Sequence, residues 1–378
     1  MNTIYQLHFR FDKNVYFVKF LFMEEKDGLN QTPESINTNE TTDLNESVSS
    51  DATLESSTDL SAGRINDVID IADAIKAQLS RVIVGQEELM DLMIISILTK
   101  GHILIEGVPG VAKTLTARLF AKTIDADFSR IQFTPDLMPS DILGTNIFNA
   151  KTHDFEFKQG PIFADIVVAD EINRAPAKTQ AAMFEVMQEA QVSVDGTTRE
   201  MGEAFMVLAT QNPIDNEGTY NLPEAQLDRF IFKVVVDYPS LAEDIDILKR
   251  FRSDFDMKEV ENVQKVVSLK QLLKLRGIVE SVSISDQLLE YIARIIQETR
   301  TTGDLFLGAS SRAALWMMKA SKATAALRGR NFVTPDDIRW VTKPVLNHRI
   351  ILSPQREMEG VPAAVILQQI IEKVEVPR

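Results

Sequence analysis

The sequence predicts an α/β domain built on a mainly parallel sheet, followed by a wholly helical domain. Short β-rich runs alternate with helical patterns between residues 102 and 236, which is typical of strand–helix–strand units around a parallel sheet. After Tyr238 and Pro239, apolar residues recur at helical spacing to the end of the chain. The β-rich runs are residues 103–105, 131–133, 166–168, 205–209 and 231–236.

Composition excludes several classes of protein before any motif is considered. The 378 residues include no Cys, so disulfides, thiolate metal sites and Cys nucleophiles are all excluded. No apolar run approaches the roughly 20 residues that a membrane-spanning helix needs. The net charge of -15 disfavours a broad grip on nucleic acid, because that grip depends on Lys and Arg neutralising phosphates. We therefore expect a soluble protein with a cytoplasmic location.

The first 63 residues are predicted to be a disordered acidic and polar extension. Residues 1–22 are rich in aromatic and basic side chains but lack the continuous apolar region of a signal peptide. Residues 24–62 are dense in Ser, Thr, Asn, Asp and Glu, so they bury too little apolar surface to offset their ordering entropy. Met23 between these segments is one candidate for the true start; a docking segment on a flexible tether is the alternative.

Ordered structure is expected from residue 64 onward. Val68, Ile71, Ile75 and Leu79 recur at helical spacing and predict the first helix. We place the α/β domain at residues 64–240 and the helical domain at residues 241–378. Neither a tandem repeat nor a long linker separates them, so we expect the two domains to share a cleft.

A glycine-rich turn lies between a predicted strand (102–106) and a predicted helix (115–124), the context of a phosphate-binding loop. Unpaired N–H groups and the dipole at the start of that helix favour anions. Lys113 would neutralise the β and γ phosphates, and Thr114 offers a hydroxyl ligand to Mg²⁺. Ala112 replaces the second Gly of the usual pattern, so the backbone there must tolerate a Cβ. We expect nucleotide contacts from Gly107, Val108, Pro109, Gly110, Val111, Ala112, Lys113, Thr114 and Leu115.

Residues 166–171 form an apolar strand that ends in two adjacent carboxylates. A strand of this kind beside a phosphate-binding loop is typical of sites that bind Mg²⁺ and activate a water molecule. Asp170 would hold Mg²⁺ through its water shell, and Glu171 would orient and polarise the attacking water. The sequence therefore predicts a metal site at Thr114 and Asp170, with a catalytic carboxylate at Glu171.

Residues 107–114 and 170–175 together resemble the MoxR family of AAA+ ATPases, whose phosphate loop characteristically has Ala in place of that Gly. The resemblance covers roughly residues 64–378. It implies a P-loop NTPase core with a hairpin insert at helix 2, an all-α lid, and ATP and Mg²⁺ as cofactors. Further similar stretches are residues 84–86, 133–141, 209–213, 222–230 and 308–313.

The resemblance also implies roles for residues outside the phosphate loop. Asn212 matches the first sensor, which places the water and reads the γ phosphate. Arg229 matches the arginine finger, which reaches the nucleotide of the neighbouring subunit, and Arg312 matches the second sensor, borne by the lid. Val84, Gly85 and Gln86 would border the adenine. Because Arg229 would act in trans, we expect a closed homo-oligomeric ring, with six subunits as in related machines.

Two hairpins are predicted in the α/β domain, at residues 139–157 and 191–198. The second has an Asp-Gly turn at Asp195 and Gly196. By resemblance, the first belongs to the helix-2 insert of the clade that includes magnesium chelatase. Both are expected to point toward a central pore or a client; solvent-facing hairpins with no contact role are the alternative.

The resemblance implies an ATP-driven remodeller that assembles, activates or matures partner proteins, with proteins bearing a von Willebrand A domain among the expected partners. Two alternatives stay open: a chelatase-type motor subunit, and a nucleotide-switched scaffold with little turnover. Lys113, Asp170, Glu171 and Arg229 are all present, which counts against the scaffold. A kinase has no need of the finger and the sensors, and the acidic net charge ranks a nucleic-acid role last.

Overall fold

The computed structural model of the protein describes residues 52–213, 220–252 and 260–377, and for residues 52–63 it describes the backbone alone. Strands and helices alternate in its first part and helices dominate the second, as predicted. The strands are β1 (His102–Gly107), β2 (Ile124–Asp125), β3 (Phe128–Gln132), β4 (Gly144–Asn149), β5 (Asp154–Gln159), β6 (Ile166–Asp170), β7 (Gln191–Val194), β8 (Thr197–Glu200), β9 (Met206–Gln211), β10 (Phe230–Val236), β11 (Val267–Ser268), β12 (Leu305–Leu307) and β13 (Ile351–Leu352). The helices are α1 (Ala52–Leu79), α2 (Glu87–Leu98), α3 (Lys113–Thr123), α4 (Pro139–Leu143), α5 (Ala177–Glu189), α6 (Glu224–Leu227), α7 (Leu241–Phe251), α8 (Leu269–Glu280), α9 (Asp286–Thr301), α10 (Ser311–Leu327), α11 (Pro335–Leu346), α12 (Pro354–Met358) and α13 (Ala363–Lys373).

The central sheet has the strand order β10-β1-β9-β6-β3, and every neighbouring pair in it is parallel. Strand β6 is buried along its whole length, because a parallel sheet is covered by helices on both faces. Ile103 and Ile105 pack into one apolar cluster and Leu104 into another, on opposite faces of the sheet. The α/β fold class is therefore confirmed. Parallel strands end at one edge, which brings Gly107, Asp170 and the residue after Gln211 to the same side of the molecule.

One apolar cluster joins the sheet to the helical part of the chain. It contains Ile103 of β1 and Leu208 of β9, and also Leu275 of α8, Ile295 of α9 and Val341 of α11. The described residues from Ala52 onward consequently belong to one compact unit. The predicted boundary between residues 240 and 241 stays a prediction, because the two parts share a continuous core.

Helix α1 begins at Ala52, so the backbone of residues 52–63 is helical where we predicted disorder. The buried residues Ile65 and Val68 anchor this helix on the core. Once a helix is nucleated, each added residue gains one backbone hydrogen bond, and no Pro interrupts the run before Leu79. The predictions for residues 1–51, including the start at Met23, lie outside the described residues.

Both predicted hairpins are confirmed as antiparallel pairs, β4 with β5 and β7 with β8. Asp195 and Gly196 have positive φ values of 50° and 78°, as a tight two-residue hairpin turn requires. The hairpins contact each other, since Asn146 Nδ2 donates to Asp195 Oδ2 at 2.5 Å. The guanidinium of Arg199 lies 3.8 Å from the centre of the Phe157 ring. They therefore form a single surface.

No helix in the described part of the chain is long and apolar enough to cross a membrane.

Candidate nucleotide and magnesium site

The predicted phosphate-binding loop joins β1 to α3, and α3 begins at Lys113, two residues before the start we predicted. Gly107 is required for close packing, because a Cβ there would lie 2.5 Å from the carbonyl oxygen of Val236 on β10. Gly110 has a φ of +89°, and a Cβ there would meet nothing within 4 Å. Gly107 thus fixes the loop to the sheet, whereas Gly110 supplies the backbone conformation that lets the loop curve.

Ala112 adopts the left-handed conformation, with φ 59° and ψ 20°. The backbone keeps the conformation that Gly usually provides at this position, at a cost of about 1 kcal/mol for the Cβ. The carbonyl oxygen of Ala112 accepts a hydrogen bond from the N–H of Thr116 at 2.8 Å, which starts the α3 hydrogen-bond ladder. The expectation that this position tolerates a Cβ is confirmed, with strain.

The ammonium group of Lys113 is directed back onto the loop that precedes it. It donates to the carbonyl oxygens of Gly107 and Val108, the second at 2.9 Å. Lys113 is only partly buried. The loop therefore holds a positive charge next to its own backbone, at the start of a helix whose unpaired N–H groups also favour an anion.

Gln86, which was expected to border the adenine, contacts the phosphate-binding loop in a way that the sequence analysis did not anticipate. Its Nε2 donates to the carbonyl oxygen of Val111 at 3.0 Å, and its Oε1 accepts from the Thr116 hydroxyl at 3.1 Å. Gln86 therefore ties the segment with Val84 and Gly85 to the phosphate-binding loop. The sequence offered no signal for this contact, because no local pattern shows that Gln86 meets a residue 25 positions further along the chain.

Gly85 lies against helix α7, at the boundary between the sheet and the helical part of the chain. It has a φ of +67°, and a Cβ there would lie 2.1 Å from Oε1 of Glu243. The structure thus places Val84 and Gly85 between the phosphate-binding loop and α7. That position agrees with a segment that borders a nucleotide, although contact with adenine stays a prediction.

The two predicted metal ligands, Thr114 and Asp170, are in direct contact. The Thr114 hydroxyl donates to Asp170 Oδ1 at 2.7 Å, and the Thr210 hydroxyl donates to the same oxygen at 3.0 Å. Arg130 Nε donates to Asp170 Oδ2 at 2.6 Å. A buried carboxylate is costly unless it is hydrogen-bonded, and three donors here meet that requirement.

The donor set at this site fits Mg²⁺. A hydroxyl and a carboxylate are hard oxygen ligands, and Mg²⁺ usually combines one or two such protein ligands with waters and substrate phosphates. Within the described ranges there is no cluster of three or more His, Asp and Glu residues that could hold a metal. Thr114 and Asp170 therefore suit an ion shared with a nucleotide rather than one enclosed by protein ligands alone.

Glu171, the predicted catalytic carboxylate, leaves β6 in the left-handed conformation with φ 54°. Its N–H donates to the Thr210 hydroxyl at 3.0 Å. Its Oε2 accepts from Gln132 Nε2 at 3.0 Å and from the Arg174 guanidinium at 3.2 Å. The side chain is thus held next to Asp170 by partners that are themselves partly exposed.

Strand β3 supplies two side chains that the sequence analysis did not single out. Arg130 and Gln132 are two residues apart, so they lie on the same face of the strand. Arg130 contacts Asp170 while Gln132 contacts Glu171, and Arg130 Nη2 also donates to Gln132 Oε1 at 3.1 Å. Alternating polar residues near the end of a strand were the signal available for them.

Asn212, the predicted first sensor, directly follows β9, which lies between β1 and β6 in the sheet. The residue is buried, and its carbonyl oxygen accepts from Asn173 Nδ2 at 3.3 Å. Asn173 follows Glu171 in the chain after one intervening residue. The structure therefore brings Asn212 to the same edge as the two carboxylates.

Arg229 and Arg312, the predicted arginine finger and second sensor, contact α5 and Asp228 respectively. Arg229 Nε donates to Gln188 Oε1 of α5 at 3.0 Å, and its guanidinium is 5.9 Å from the centre of the Phe184 ring. Arg312, in the first turn of α10, forms an ion pair with Asp228 at 3.7 Å. The side-chain contacts found for Arg229 in the described part of the chain are with α5 and not with its own phosphate-binding loop. Such a position is compatible with action on a neighbouring subunit.

Comparison with known families matches both parts of the chain. Residues 102–232 match a family described as ATPase family associated with various cellular activities (AAA). Residues 297–370 match the AAA lid domain. The combination of a parallel-sheet ATPase core and a helical lid is thus found in both sequence and structure.

Individual relatives are similar over most of their length. The chain is 46% identical over 299 residues to the uncharacterized protein YeaC of Bacillus subtilis, covering 79% of this chain and 92% of that protein. It is 41% identical over 310 residues to Chaperone MoxR1 of Mycobacterium tuberculosis, covering 80% and 81%. A crystal structure from Cytophaga hutchinsonii, provisionally described as an ATPase, matches with a TM-score of 0.77 and 41% identity, covering 86% of this chain and 99% of that one.

Proposed function

Since this chain belongs to the MoxR family of AAA+ ATPases, we propose that it hydrolyses ATP with Mg²⁺ and uses the released energy to remodel partner proteins. One observation supports the chemistry above the others. The Thr114 hydroxyl lies 2.7 Å from Asp170 Oδ1, next to Glu171 and at the end of the sheet where the phosphate-binding loop begins. Phosphoryl transfer to water needs these groups side by side.

The residues of the loop and of β6 would divide the work of binding and hydrolysis. Gly110 and the N–H groups at the start of α3 would hold the phosphates, and Lys113 would neutralise their charge. Thr114 and Asp170 would hold Mg²⁺, which when bound neutralises charge on the phosphate oxygens. Glu171 would orient the attacking water and accept its proton. Its Oε2 is engaged by Gln132 and Arg174, so Oε1 is the atom we assign to the water.

The site is proposed to be completed by a neighbouring subunit. Asn212 would help to place the water, and Arg312 would read the γ phosphate from the lid. Arg229 would reach the nucleotide of the adjacent subunit and stabilise charge on the transferred phosphoryl group. This arrangement favours a homo-oligomeric ring, and the number of six subunits is proposed by resemblance to related machines.

The partner of this ATPase is proposed from what its relatives are named for, and not from the geometry of the nucleotide site. Chaperone MoxR1, a relative named as a chaperone, supports a role in activating or maturing other proteins. A partner bearing a von Willebrand A domain and a cytoplasmic location stay predictions, as do the alternatives of a chelatase-type motor subunit and a nucleotide-switched scaffold.

The test is ATP turnover measured against protein concentration for the wild type, for Glu171→Gln and for Arg229→Ala. We expect specific activity to rise with concentration. Glu171→Gln should lower turnover by about 100-fold or more while ATP still binds, and Arg229→Ala should lower it by about 1,000-fold. Mixing the two variants should restore part of the activity, because one supplies Arg229 and the other supplies Glu171.

A matched control is Arg294→Ala, which removes an exposed arginine that pairs with Glu290 one helical turn away in α9. We expect its turnover to equal that of the wild type. A rate that is independent of concentration and insensitive to Arg229→Ala would mean a self-contained site, and the shared-site mechanism would then be abandoned.

A further inference from the structure

Asp228 lies where the end of α6 meets the lid, directly before Arg229 and β10. Its carboxylate contacts three side chains that come from the helical part of the chain, namely Ser310, Arg312 and Arg349. Among the described residues, this carboxylate therefore joins the lid to the residue next to the proposed arginine finger. None of these contacts was anticipated from sequence.

Arg349 holds one side of Asp228 firmly. Its side chain is 1% exposed, and Nε donates to Asp228 Oδ1 at 2.7 Å while Nη2 donates to the Asp228 carbonyl oxygen at 2.9 Å. Its remaining N–H groups donate to the carbonyl oxygens of Phe230, Ile231 and Val345. Burial lowers the pKa of Arg349 to about 10, and the Asp228 carboxylate opposes that effect. Asp228 is thus fixed to the segment after α11.

The contacts of Asp228 with α10 are longer and more exposed. The Ser310 hydroxyl lies 3.2 Å from each carboxylate oxygen, and Arg312 Nη1 lies 3.7 Å from Oδ2. The Arg312 side chain is 43% exposed. Ser310 is also the N-cap of α10, since its Oγ accepts from the N–H of Ala313. The first turn of α10 therefore rests on Asp228 through contacts that can be exchanged.

Movement of Asp228 must also move Arg229, because the two residues are consecutive in the chain. Consecutive Cα atoms are about 3.8 Å apart across a rigid, planar peptide. Beyond that peptide, the Arg229 side chain is held by its contact with Gln188 on α5. A shift of Asp228 against α5 would therefore re-aim the Arg229 guanidinium.

We propose that Asp228 is a positioning residue that couples Arg312 on the lid to Arg229, so that nucleotide held by one subunit sets the finger offered to the next. This rests on the proposed function, in which Arg312 reads the γ phosphate and Arg229 acts in trans. A phosphate has more negative charge than a carboxylate, so it competes for Arg312 and draws it from Asp228 Oδ2. Once Oδ2 loses Arg312, the Asp228 carboxylate turns about its contact with Arg349, and the backbone that Asp228 shares with Arg229 shifts with it.

A purely structural role is the alternative, in which Asp228 only neutralises the buried Arg349. That role predicts lower stability of the subunit with no specific effect on its neighbour. The coupling role predicts a loss of turnover at the neighbouring site even when the changed subunit folds and binds ATP normally. The two roles therefore differ in which subunit shows the defect.

The experiment uses mixed oligomers of full-length chains. Donor subunits have Glu171→Gln, so they hold ATP and offer Arg229 but do not hydrolyse. Acceptor subunits have Arg229→Ala, so turnover in the mixture comes from acceptor sites beside donors. If the mixture of unmodified donors and acceptors shows no turnover, the shared site itself fails, and this outcome removes the basis of the coupling as well.

Two changes are then added to the donor alone. Ser310→Gly removes the hydroxyl from Asp228 and leaves a residue that is still acceptable at an N-cap. Asp228→Asn together with Arg349→Met removes the carboxylate without leaving a buried unpaired charge. The matched control is Ser285→Gly, which removes the N-cap hydroxyl of α9 at a place with no contact to Asp228.

We expect each Asp228-directed change in the donor to lower turnover of the mixture by about tenfold, the size of an ordinary coupling between sites. Donor affinity for a fluorescent ATP analogue should be unchanged, and the thermal unfolding midpoint of Ser310→Gly should match that of Ser285→Gly. Turnover that stays within about twofold of the unmodified mixture for both changes would overturn the proposal. An equal loss with Ser285→Gly would also overturn it, because the effect would then come from helix capping.

Discussion

Two arginine–aspartate pairs in this structure have the same chemistry and opposite burial. At the proposed Mg²⁺ site, the side chains of Arg130 and Asp170 are 51% and 2% exposed, with Nε 2.6 Å from Oδ2. At the lid junction, the side chains of Arg349 and Asp228 are 1% and 20% exposed, with Nε 2.7 Å from Oδ1. In the first pair the anion is buried, and in the second the cation is buried.

The difference in burial indicates which of the two ion pairs can separate. Asp170 also accepts from the hydroxyls of Thr114 and Thr210, so its buried oxygens keep donors if Arg130 turns away. Arg349 has Asp228 as its carboxylate partner, and its other bonds are to neutral carbonyl oxygens. The pair at the site is thus suited to exchange with a metal, whereas the pair at the junction is suited to permanence.

The largest expected effect tests whether the Asp228–Arg349 pair is needed for the stability of the folded chain. Asp228→Asn leaves the buried Arg349 without a counter-charge, and we expect the free energy of unfolding to fall by about 3–5 kcal/mol. Urea denaturation of the full chain measures this. Adding Arg349→Met should recover most of the loss, because the buried charge is removed with its partner. A loss below about 1 kcal/mol for Asp228→Asn alone would mean that the pair behaves as a surface pair.

The next effect concerns how two buried histidines, His102 and His348, make the stability of the fold depend on pH. Burial lowers the pKa of His102 to about 4, and burial, with the charge of Arg349 second, lowers the pKa of His348 well below its usual value. A histidine of the unfolded chain takes up a proton near pH 6.5, whereas the same histidine in the folded protein does so only at its lower pKa. Between these two pH values the unfolded state therefore binds more protons than the folded state. Stability should therefore fall as pH falls through this window, by about 1.4 kcal/mol per pH unit for each histidine.

Urea denaturation from pH 7.5 down to pH 5 checks this expectation. His348→Gln keeps a donor for the carbonyl oxygen of Phe230, which His348 Nε2 contacts at 3.1 Å, but cannot titrate. It should flatten the pH dependence by about 1.4 kcal/mol per pH unit. The control His153→Gln changes an exposed histidine and should leave the slope as it is. Equal slopes for all three proteins would contradict the assignment to buried His348.

A smaller effect is expected at the Arg130–Asp170 pair. Arg130→Met removes a half-exposed cation, and we expect a stability loss of no more than about 1 kcal/mol. Because a positive charge beside Asp170 opposes a second cation, the variant should bind Mg²⁺ more tightly in the presence of a non-hydrolysable ATP analogue. Calorimetric titration measures the affinity, with Arg294→Met as the control at an exposed pair. Weaker Mg²⁺ binding by Arg130→Met would show that Arg130 supports the site instead.

These pairs also show how far sequence reasoning reached. The contact of Thr114 with Asp170 was predictable, because the ends of parallel strands and the start of the following helix meet at one edge of a sheet. The strands and both hairpins were predictable from local alternation and turn residues. Each of these inferences needed only short segments whose chemistry is strong by itself.

The missed residues depend on which distant segments become neighbours. Arg130 contacts Asp170 because β3 pairs with β6 in one particular register. Arg349 contacts Asp228 across 121 residues of sequence, through a lid packing that no local pattern encodes. Helix α1 was predicted too short for a related reason, since its buried residues stabilise a helix that extends beyond them.

The smallest expected effect concerns the backbone of the phosphate-binding loop. Ala112 and Ala190 both have left-handed conformations, with φ 59° and 49°, so replacement by Gly relieves strain at each. The relief is offset by the entropy that Gly adds to the unfolded chain, so Ala190→Gly should change stability by about 0.5 kcal/mol or less. Ala112 also packs against the apolar core, so Ala112→Gly loses a small contact and should be the less stable of the two variants by about 0.5 kcal/mol. Thermal unfolding of both variants measures the difference. If Ala112→Gly is instead more stable than the wild type, then the loop keeps its alanine at a net cost in stability, which places the reason for that residue in nucleotide binding rather than in packing.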